Sequence, residues 1–557
     1  MALFNSYLLF MRYNFLRSSI LYVFICSISL VSCKHQAKSY NKVVKDTLAK
    51  GWDQTIPGNF NEHSKAVFDS TQLSLFFNKY PDLKSYSKQV TSFYQKRNYS
   101  YAWFDKGQLI DQGSNLASRV MNLDNDGVYK KAPYVKVLDS LLYQLNTKTI
   151  SKQPEINVEL MLTAQYFMLA NVVWGGLSAD ASKAAKWYVP RKKVNYNQYL
   201  DSLLKAPATQ LTGEPVYRQY ELLRKFLKKY KDLNNTDNWT PIIINAKSVK
   251  LGDSSLAILL VKKRLCKLGN YKGDTVNQVF NNDLLTGVKQ FQNTHGLLAN
   301  GVINKETLNE LNVPLKTRIM QILVNMERSR WLPVSIKGDY LAVNIPEFKL
   351  HVYHDDSLLW SCNVVVGQTV HQTTVFYGEI KYVVFSPYWN IPESIVRNEV
   401  LPGIRKNSNY ISQHHMQING YVNGLPNVRQ MPGANNSLGL VKFLFPNSYN
   451  IYLHDTPAKS LFGETSRAFS HGCIRVMEPA KLANFLLRQN SAWNAQKISA
   501  AMHSGKEQYV TLNPKVPVFI AYLTAFIDRD NNINFRKDIY NRDQRLADML
   551  VQQNGSL

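Results

Sequence analysis

A cysteine and two histidines in the C-terminal part of the chain are the residues best suited to chemistry. Cys473 directly follows Ser470, His471 and Gly472, and His454 lies nineteen positions before Cys473. A free thiol is only slightly ionised at neutral pH, so a nearby imidazole decides whether a cysteine acts as a nucleophile. Gly472 permits a positive φ angle and a close approach of the backbone. The string therefore predicts nucleophilic catalysis by Cys473 with an imidazole as its base.

The complete pattern extends over residues 452–457 and 470–476. It resembles the active-site signature of the L,D-transpeptidase catalytic domain, the YkuD-like family, in which an isolated histidine precedes a Ser-His-Gly-Cys block. The resemblance implies acyl transfer between peptidoglycan stem peptides without a cofactor. It also implies a mostly β catalytic domain with a sandwich fold.

Attack on an amide needs a nucleophile, a proton acceptor and hydrogen-bond donors for the developing oxyanion. We assign Cys473 as the nucleophile and His454, which follows an apolar strand, as the base. The resemblance implies that the backbone carbonyl of Asp455 orients His454. Glycine allows a close backbone approach, so the N–H groups of Gly472 and Cys473 are the expected oxyanion donors.

Four further residues are expected to line the substrate site. His471 is assigned to contact with the substrate or the oxyanion, and it stays open as an alternative base. Arg475 pairs either with a carboxylate of the stem peptide or with a buried acid. Ser470 is favoured as a turn former over a nucleophile, and Tyr452 completes the set.

The N-terminal segment 1–33 has the pattern of an export signal. Arg12 and Arg17 form a basic region, and an uncharged apolar run that is short for a membrane-spanning helix follows them. Its end, at residues 30–33, resembles the bacterial lipobox, in which the cysteine becomes the lipidated first residue; an uncleaved anchor is the alternative. The prediction is a lipoprotein anchored through Cys33, exposed on the periplasmic face of the envelope.

Cysteine spacing gives no sign of a disulfide framework. Cys26 and Cys33 belong to the signal segment, which leaves Cys266, Cys362 and Cys473. Three scattered cysteines in an exported protein do not form the closely spaced pattern of disulfide-stabilised domains. Cys266 falls in an apolar helix and Cys362 in an apolar strand, so both are expected to be buried and inert.

Composition limits the classes of partner. The chain has 557 residues, too many for one core, so about two to four domains are expected. A formal charge of +26 indicates a polyanionic partner. Export and the lack of a nucleic-acid motif argue against nucleic acid. Anionic envelope polymers, lipid head groups and a merely solvated lysine-rich surface stay open.

Periodicity divides the chain before the catalytic region. Residues 34–60 are polar and suit a tether. Apolar residues spaced three and four apart predict a helical region over 61–245, which resembles the scaffold domain of the larger YcbB-type L,D-transpeptidases. Residues 250–315 predict three helices, with an end at Gly269 and a cap at Asn304. They resemble a small peptidoglycan-binding domain; a structural spacer is the alternative.

The hydrophobic period then changes to two, which predicts strands. A mostly β catalytic domain is expected over 335–505, followed by a C-terminal extension over 506–557. An insertion at 392–437, irregular and rich in glycine and proline, is expected to cap the active site. It contains His414 and His415, but adjacent histidines cannot easily aim at one metal, so no metal site is predicted.

The sequence thus predicts a multidomain α+β protein, an L,D-transpeptidase anchored to the membrane by its N-terminal lipid. Tetrapeptide stems of peptidoglycan are the expected donors, 3→3 cross-links the expected product, and cell-wall synthases are candidate partners. An L,D-carboxypeptidase and an enzyme that attaches proteins to peptidoglycan are alternatives on the same site. A non-enzymatic wall-binding lipoprotein is a further alternative, which the intact Cys473, His454 and Gly472 argue against.

Overall fold

The structure, a computed structural model, describes residues 66–147, 154–191, 194–205 and 213–555. The predictions for the signal segment 1–33, for lipidation of Cys33 and for the tether 34–60 lie outside the described residues.

The N-terminal region is helical, as its three-and-four periodicity predicts. Its helices are α1 Thr71–Lys79, α2 Ser87–Lys96, α3 Asp111–Met121, α4 Val135–Thr147, α5 Ile156–Leu169, α6 Ala179–Ala184, α7 Tyr196–Lys205 and α8 Gln219–Thr236. Its short strands are β1 Phe104–Asp105, β2 Gln108–Leu109 and β3 Trp187–Tyr188. The run Ile156–Ala184 is long and apolar enough to cross a membrane, but 78% of its most apolar window is buried in the protein. Helix α5 is therefore a core helix, and α1 to α4 pack against it.

The three predicted helices of the next region are present. They are α9 Leu256–Leu268, α10 Asn282–Thr294 and α11 Lys305–Leu311. Helix α9 ends at Gly269, whose φ is +93°, and the side chain of Asn304 accepts a hydrogen bond from the N–H of Thr307 at 2.9 Å. Both boundary predictions are confirmed. Cys266 is exposed, contrary to prediction, because α9 turns the neighbouring Leu265 to the core instead.

A long helix, α12 Leu315–Arg330, joins the helical region to the catalytic region. On one side, the carboxylate of Glu327 accepts a hydrogen bond from the N–H of Leu177 at 2.7 Å. On the other side, Arg328 forms an ion pair with Asp543 at 2.6 Å. A buried charge that loses its partner destabilises the fold. Because the partners of these charges lie in both regions, α12 fixes the two regions to each other.

The catalytic region is mostly β, and the multidomain α+β fold class is confirmed. Its strands are β4 Asp339–Asn344, β5 Lys349–His354, β6 Ser357–Gly367, β7 Val375–Phe385, β8 Trp389–Asn390, β9 Met416–Val422, β10 Leu425–Gln430, β11 Val441–Leu444, β12 Leu453–His454, β13 Ala468–Ser470, β14 Ile474–Val476, β15 Gln508–Ala521, β16 Ala525–Ile527 and β17 Ile533–Phe535. The order β7-β11-β12-β14-β6-β5-β4-β15 closes on itself, because β7 pairs with both β11 and β15. Strand β3 of the helical region extends this sheet by pairing with β7.

The insertion at 392–437 is regular, not irregular as its composition indicated. It holds the short helices α13 Glu393–Ile395, α14 Leu401–Lys406 and α15 Tyr410–Gln413, a π-helical turn Val396–Val400, and strands β9 and β10. With β8 these strands form a separate three-stranded sheet. Its own apolar core consists of Ile391, Ile395, Val396, Val400 and Val428. We call residues 389–437 the cap.

The predicted boundary at residue 505 is wrong. After the helices α16 Pro479–Leu487 and α17 Ala495–Met502, strand β15 returns to the middle of the catalytic sheet, between β4 and β7. The catalytic sheet therefore ends only at Ala521. The extension that remains consists of the hairpin β16–β17 and the helix α18 Asp543–Asn554.

Candidate active site

Four of the predicted site residues lie on one face of two adjacent strands. Strands β12 and β14 run parallel, with Leu453 opposite Ile474. Both of these side chains are fully buried in the core. Successive side chains of a strand point to opposite faces, so the residues on either side of this pair share the other face. These residues are Tyr452, His454, Cys473 and Arg475.

His454 is a buried, neutral imidazole. Its Nδ1 donates a hydrogen bond to the backbone carbonyl of Asp455, the contact that the sequence led us to expect. A carbonyl only accepts, so the proton lies on Nδ1 and the lone pair on Nε2. Burial, reinforced by the positive charge of Arg475, lowers the pKa of His454 to about 3.

Cys473 is a half-buried thiol at the entry to β14. Its Sγ donates to the carbonyl of Asn450 at 3.5 Å, and within the described residues no hydrogen bond joins it to His454. Burial raises the pKa of the Cys473 thiol above its ordinary value of 9.0, although hydrogen bonds from Tyr452 act in the opposite direction. The resting site therefore holds a thiol and a neutral imidazole, not an ion pair.

Tyr452 links the thiol to the cap. Its phenol is hydrogen-bonded to Cys473 and to the indole of Trp389, and burial raises its pKa. Its ring lies 5.6 Å from the ring of His454. Trp389 opens the cap in strand β8. The sequence analysis did not assign a role to Trp389, because a tryptophan beside an insertion carries no signal of what it contacts.

The carboxylate of Asp455 has a structural role separate from that of its carbonyl. It accepts hydrogen bonds from the N–H groups of Thr456 at 2.7 Å and Leu440 at 2.9 Å. Gly439, with φ +63°, packs so closely that a Cβ there would lie 2.4 Å from the carboxylate. The side chain thus fixes the turn that places the Asp455 carbonyl under His454.

The turn before Cys473 corrects two expectations. The hydroxyl of Ser470 donates to the carbonyl of Cys473 at 2.5 Å and accepts from the N–H of Gly472 at 3.1 Å. Ser470 is buried and closes the turn, so its hydroxyl is not available to a substrate. The N–H of Gly472 is already bonded and is not a free oxyanion donor. The N–H of Cys473 is the donor of the expected pair that remains.

His471 points towards the cap, apart from the other site residues. Its Nε2 lies 3.2 Å from a carboxylate oxygen of Glu399, which belongs to the π-helical turn of the cap. Its ring centroid is 4.9 Å from that of His371, in the loop between β6 and β7. Sequence reasoning missed Glu399 and His371, since both lie far from His471 along the chain.

Arg475 is a cation without a carboxylate partner in the described parts of the chain. Its Nε is buried and has no hydrogen-bond partner there. Burial lowers the pKa of its guanidinium, and the nearby Cys473 opposes the shift. The buried acid considered as one partner is not found among the described residues, so this cation is available to an anionic ligand.

The described residues contain no cluster of three or more histidine, cysteine or acidic side chains arranged to hold a metal ion. His414 in the cap is exposed, and its Nδ1 is hydrogen-bonded to the backbone carbonyl of Tyr410 at 2.8 Å. Its neighbour His415 has a positive φ of +52°.

Protein families match three stretches of the chain. The "L,D-transpeptidase catalytic domain" (YkuD) matches residues 338–518, which include the whole site described above. The chain carries an L,D-transpeptidase catalytic domain. A "Scaffold domain" matches residues 88–227, and a "Putative peptidoglycan binding domain" matches residues 254–311. The predicted resemblance is confirmed.

One relative with a described activity and several solved structures are similar to this chain. A protein of Haemophilus influenzae described as "Putative L,D-transpeptidase" is 34% identical over 242 residues. The match covers 41% of this chain and 48% of that protein, so the chain spans about half the length of the relative.

The solved structures include an L,D-transpeptidase from Xylanimonas cellulosilytica, with 13% identity and a TM-score of 0.17, covering 50% of this chain and 99% of that one. Another is an L,D-transpeptidase from Mycobacterium smegmatis, with 14% identity and a TM-score of 0.18, covering 33% and 58%.

The raised thiol pKa and the low imidazole pKa predict how the site responds to pH. The rate of alkylation of Cys473 by iodoacetamide should rise with pH up to and beyond the ordinary thiol value of 9.0, because only the thiolate reacts. His454 should add no inflection until the pH falls to about 3. Mass spectrometry of the modified peptides separates Cys473 from the exposed Cys266. A rate that reaches its plateau below about pH 7, as in a thiolate–imidazolium pair, would contradict this picture.

Proposed function

We propose that the protein is an L,D-transpeptidase that forms 3→3 cross-links in peptidoglycan through an acyl-enzyme on Cys473. The observation that carries the proposal is the shared face of β12 and β14, which gathers a thiol, a neutral imidazole and an unpaired guanidinium. These are the nucleophile, the proton acceptor and the anion-binding group that acyl transfer from a carboxylate-bearing peptide needs.

In the first half-reaction, Sγ of Cys473 attacks the carbonyl at the L-centre of the third residue of a tetrapeptide stem. Nε2 of His454 takes the thiol proton as the S–C bond forms. Because the thiol is protonated at rest and the imidazole is a weak base, this transfer accompanies the attack and does not precede it. The C–N bond then breaks, and His454 returns the proton to the departing D-amino acid. The product is a thioester.

In the second half-reaction, an amine of a neighbouring stem attacks the thioester carbonyl. A new amide forms, the C–S bond breaks, and the proton lost by the amine passes through His454 to the thiol. Water as the acceptor would make the enzyme an L,D-carboxypeptidase, and a protein lysine would make it a protein-attachment enzyme. The donor half is the same for all three.

Arg475 is proposed to bind a carboxylate of the donor stem. Its side chain is half-buried, and its buried Nε has no partner among the described residues. A buried cation without a partner is costly, and an anionic ligand would relieve that cost. The planar fork of the guanidinium suits bidentate pairing with a carboxylate. The binding energy of this pair would orient the scissile carbonyl over Cys473.

The remaining domains are proposed to hold the enzyme at its polymeric substrate. The region matched as a peptidoglycan-binding domain and the formal charge of +26 would favour an anionic wall polymer. Lipidation of Cys33 would retain the protein at the membrane, on the periplasmic face, with the tether 34–60 giving reach. Cell-wall synthases are the candidate partners there.

Substitution of the proposed catalytic residues tests the mechanism. Incubated with tetrapeptide muropeptides, the wild type should show an acyl-enzyme by intact-mass analysis and yield cross-linked dimers. Cys473→Ala should abolish both, and His454→Ala should lower turnover on the order of 10²-fold or more. His471→Ala should cost much less, since His471 faces the cap.

Matched controls separate these effects from misfolding. Cys362→Ala and Cys266→Ala should leave turnover unchanged, because neither thiol lies near the site. Cross-linking by Cys473→Ala would refute the nucleophile, and a larger loss in His471→Ala than in His454→Ala would exchange the two roles. Acylation followed only by hydrolysis, or only by transfer to a protein lysine, would replace the proposed acceptor with the corresponding alternative.

Attachment through Cys33 has its own test. The mature protein should begin at an acylated Cys33, and Cys33→Ser should remain unprocessed and unacylated. Mass spectrometry of the mature N-terminus measures both. Residues retained before Cys33, or an unmodified thiol there, would rule out the lipoprotein and favour an uncleaved anchor.

A further inference from the structure

The peptide unit between Gly472 and Cys473 is fixed by a side-chain hydrogen bond from another loop. The hydroxyl of Thr373 donates a hydrogen bond to the Gly472 carbonyl at 2.8 Å. A peptide unit is planar and trans, so its C=O and N–H point in opposite directions. A bond that fixes the Gly472 oxygen therefore also fixes the direction of the Cys473 N–H. That N–H is the oxyanion donor that remains, since the Gly472 N–H is bonded to Ser470.

Thr373 is itself held by a closed set of buried hydrogen bonds. Its hydroxyl accepts from the N–H of Gly367 at 2.9 Å, and its own N–H donates to the phenol of Tyr540 at 3.2 Å. The phenol in turn donates to the carbonyl of Gly367 at 2.5 Å. Thr373 and Tyr540 are both buried. Each hydroxyl serves once as donor and once as acceptor, which leaves little freedom to rotate.

The phenol comes from the C-terminal extension, outside the catalytic sheet. Tyr540 lies between β17 and α18, and its N–H donates to the phenol of Tyr522 at 2.8 Å, with the two rings stacked at 5.5 Å. Two residues later, Arg542 donates to the side chain of Gln372 at 3.1 Å. The extension thus holds the 368–374 loop from outside the active site.

The loop and the catalytic turn also meet backbone to backbone. A Cβ on Gly367 would lie 2.0 Å from the carbonyl of His371 and 3.1 Å from the Cα of Gly472. Only a glycine fits at 367, so the backbone of the loop and that of the turn lie against each other there. A displacement of Thr373 would therefore pass directly to the peptide unit in front of Cys473.

We propose that Thr373 and Tyr540 are positioning residues that aim the Cys473 N–H at the oxyanion formed during acylation. This inference rests on the proposed role of Cys473 as the nucleophile. Without the Thr373 hydroxyl, the Gly472 carbonyl loses its donor and the peptide unit is free to tilt. The tilt weakens stabilisation of the oxyanion but does not change the thiol or its base.

Two reactions of the same thiol separate these effects in the full chain. Acylation by a carbapenem-type β-lactam passes through an oxyanion: the S–C bond forms, the ring C–N bond breaks, and the thiol proton moves to the ring nitrogen. Alkylation by iodoacetamide displaces iodide at a saturated carbon and forms no oxyanion. The ratio of the two rate constants at Cys473 therefore separates a change in oxyanion stabilisation from a change in the reactivity of the thiol.

Thr373→Val keeps the shape of the side chain and removes the hydroxyl. It should slow acylation by about 10-fold or more, less than the 10²–10³-fold for deleting an oxyanion donor outright, while alkylation stays near the wild-type rate. Thr373→Ser restores the hydroxyl and should restore acylation. Tyr540→Phe removes one hydroxyl oxygen and should also slow acylation, by a smaller factor than Thr373→Val.

Equal acylation by wild type and Thr373→Val would overturn the proposal. Equal slowing of both reactions in Thr373→Val and in Tyr540→Phe would do so as well, since it indicates loss of packing. If Thr373→Val does not fold, Tyr540→Phe decides alone by the same ratio. A wild type that is alkylated at Cys473 but acylated by neither the β-lactam nor tetrapeptide stems would instead refute the proposed function.

Discussion

The parallel pairing of β12 with β14 is the constraint on which the site depends. Leu453 and Ile474 enter the core side by side, and burial of both apolar side chains opposes any slip in register. A slip of one residue would turn every side chain of the strand to the other face. The thiol, the imidazole and the guanidinium therefore share one face because Leu453 and Ile474 hold the opposite face of the two strands in the core.

The low dielectric of that face explains its resting chemistry. Burial disfavours the charged forms of His454, Cys473 and Arg475 alike. Arg475 cannot lose its proton at physiological pH, so it is the one permanent charge in the group. Burial, reinforced by this charge, keeps His454 neutral. A site with one fixed cation and two neutral partners suits the proposed reaction, in which an anionic donor binds and negative charge develops during attack.

The sequence predicted features that neighbouring residues determine, and it missed contacts between residues that are far apart along the chain. The end of α9 at Gly269 and the cap at Asn304 followed from short-range backbone chemistry. The place of β15 in the middle of the sheet could not, because periodicity identifies a strand but not its partners. The hydrogen bonds that occupy the Ser470 hydroxyl and the contact of His471 with Glu399 could not be predicted from sequence either. Each depends on how a turn or an insertion folds back.

Helix α12 has a consequence for how the chain can be divided. Its Glu327 and Arg330 form a buried ion pair, and both also bond to the helical region, among other groups to the backbone at Leu177 and Val173. Cut at the start of the matched catalytic stretch, the chain would lose α12, which packs on the C-terminal extension, and the β3 edge of its sheet. Cut before α12, it would expose this ion pair and remove the backbone groups of Leu177 and Val173 that bond to it. The matched stretches are therefore recognisable as separate domains in the sequence. In the structure, however, the boundary between the scaffold domain and the catalytic domain does not separate two independent folding units.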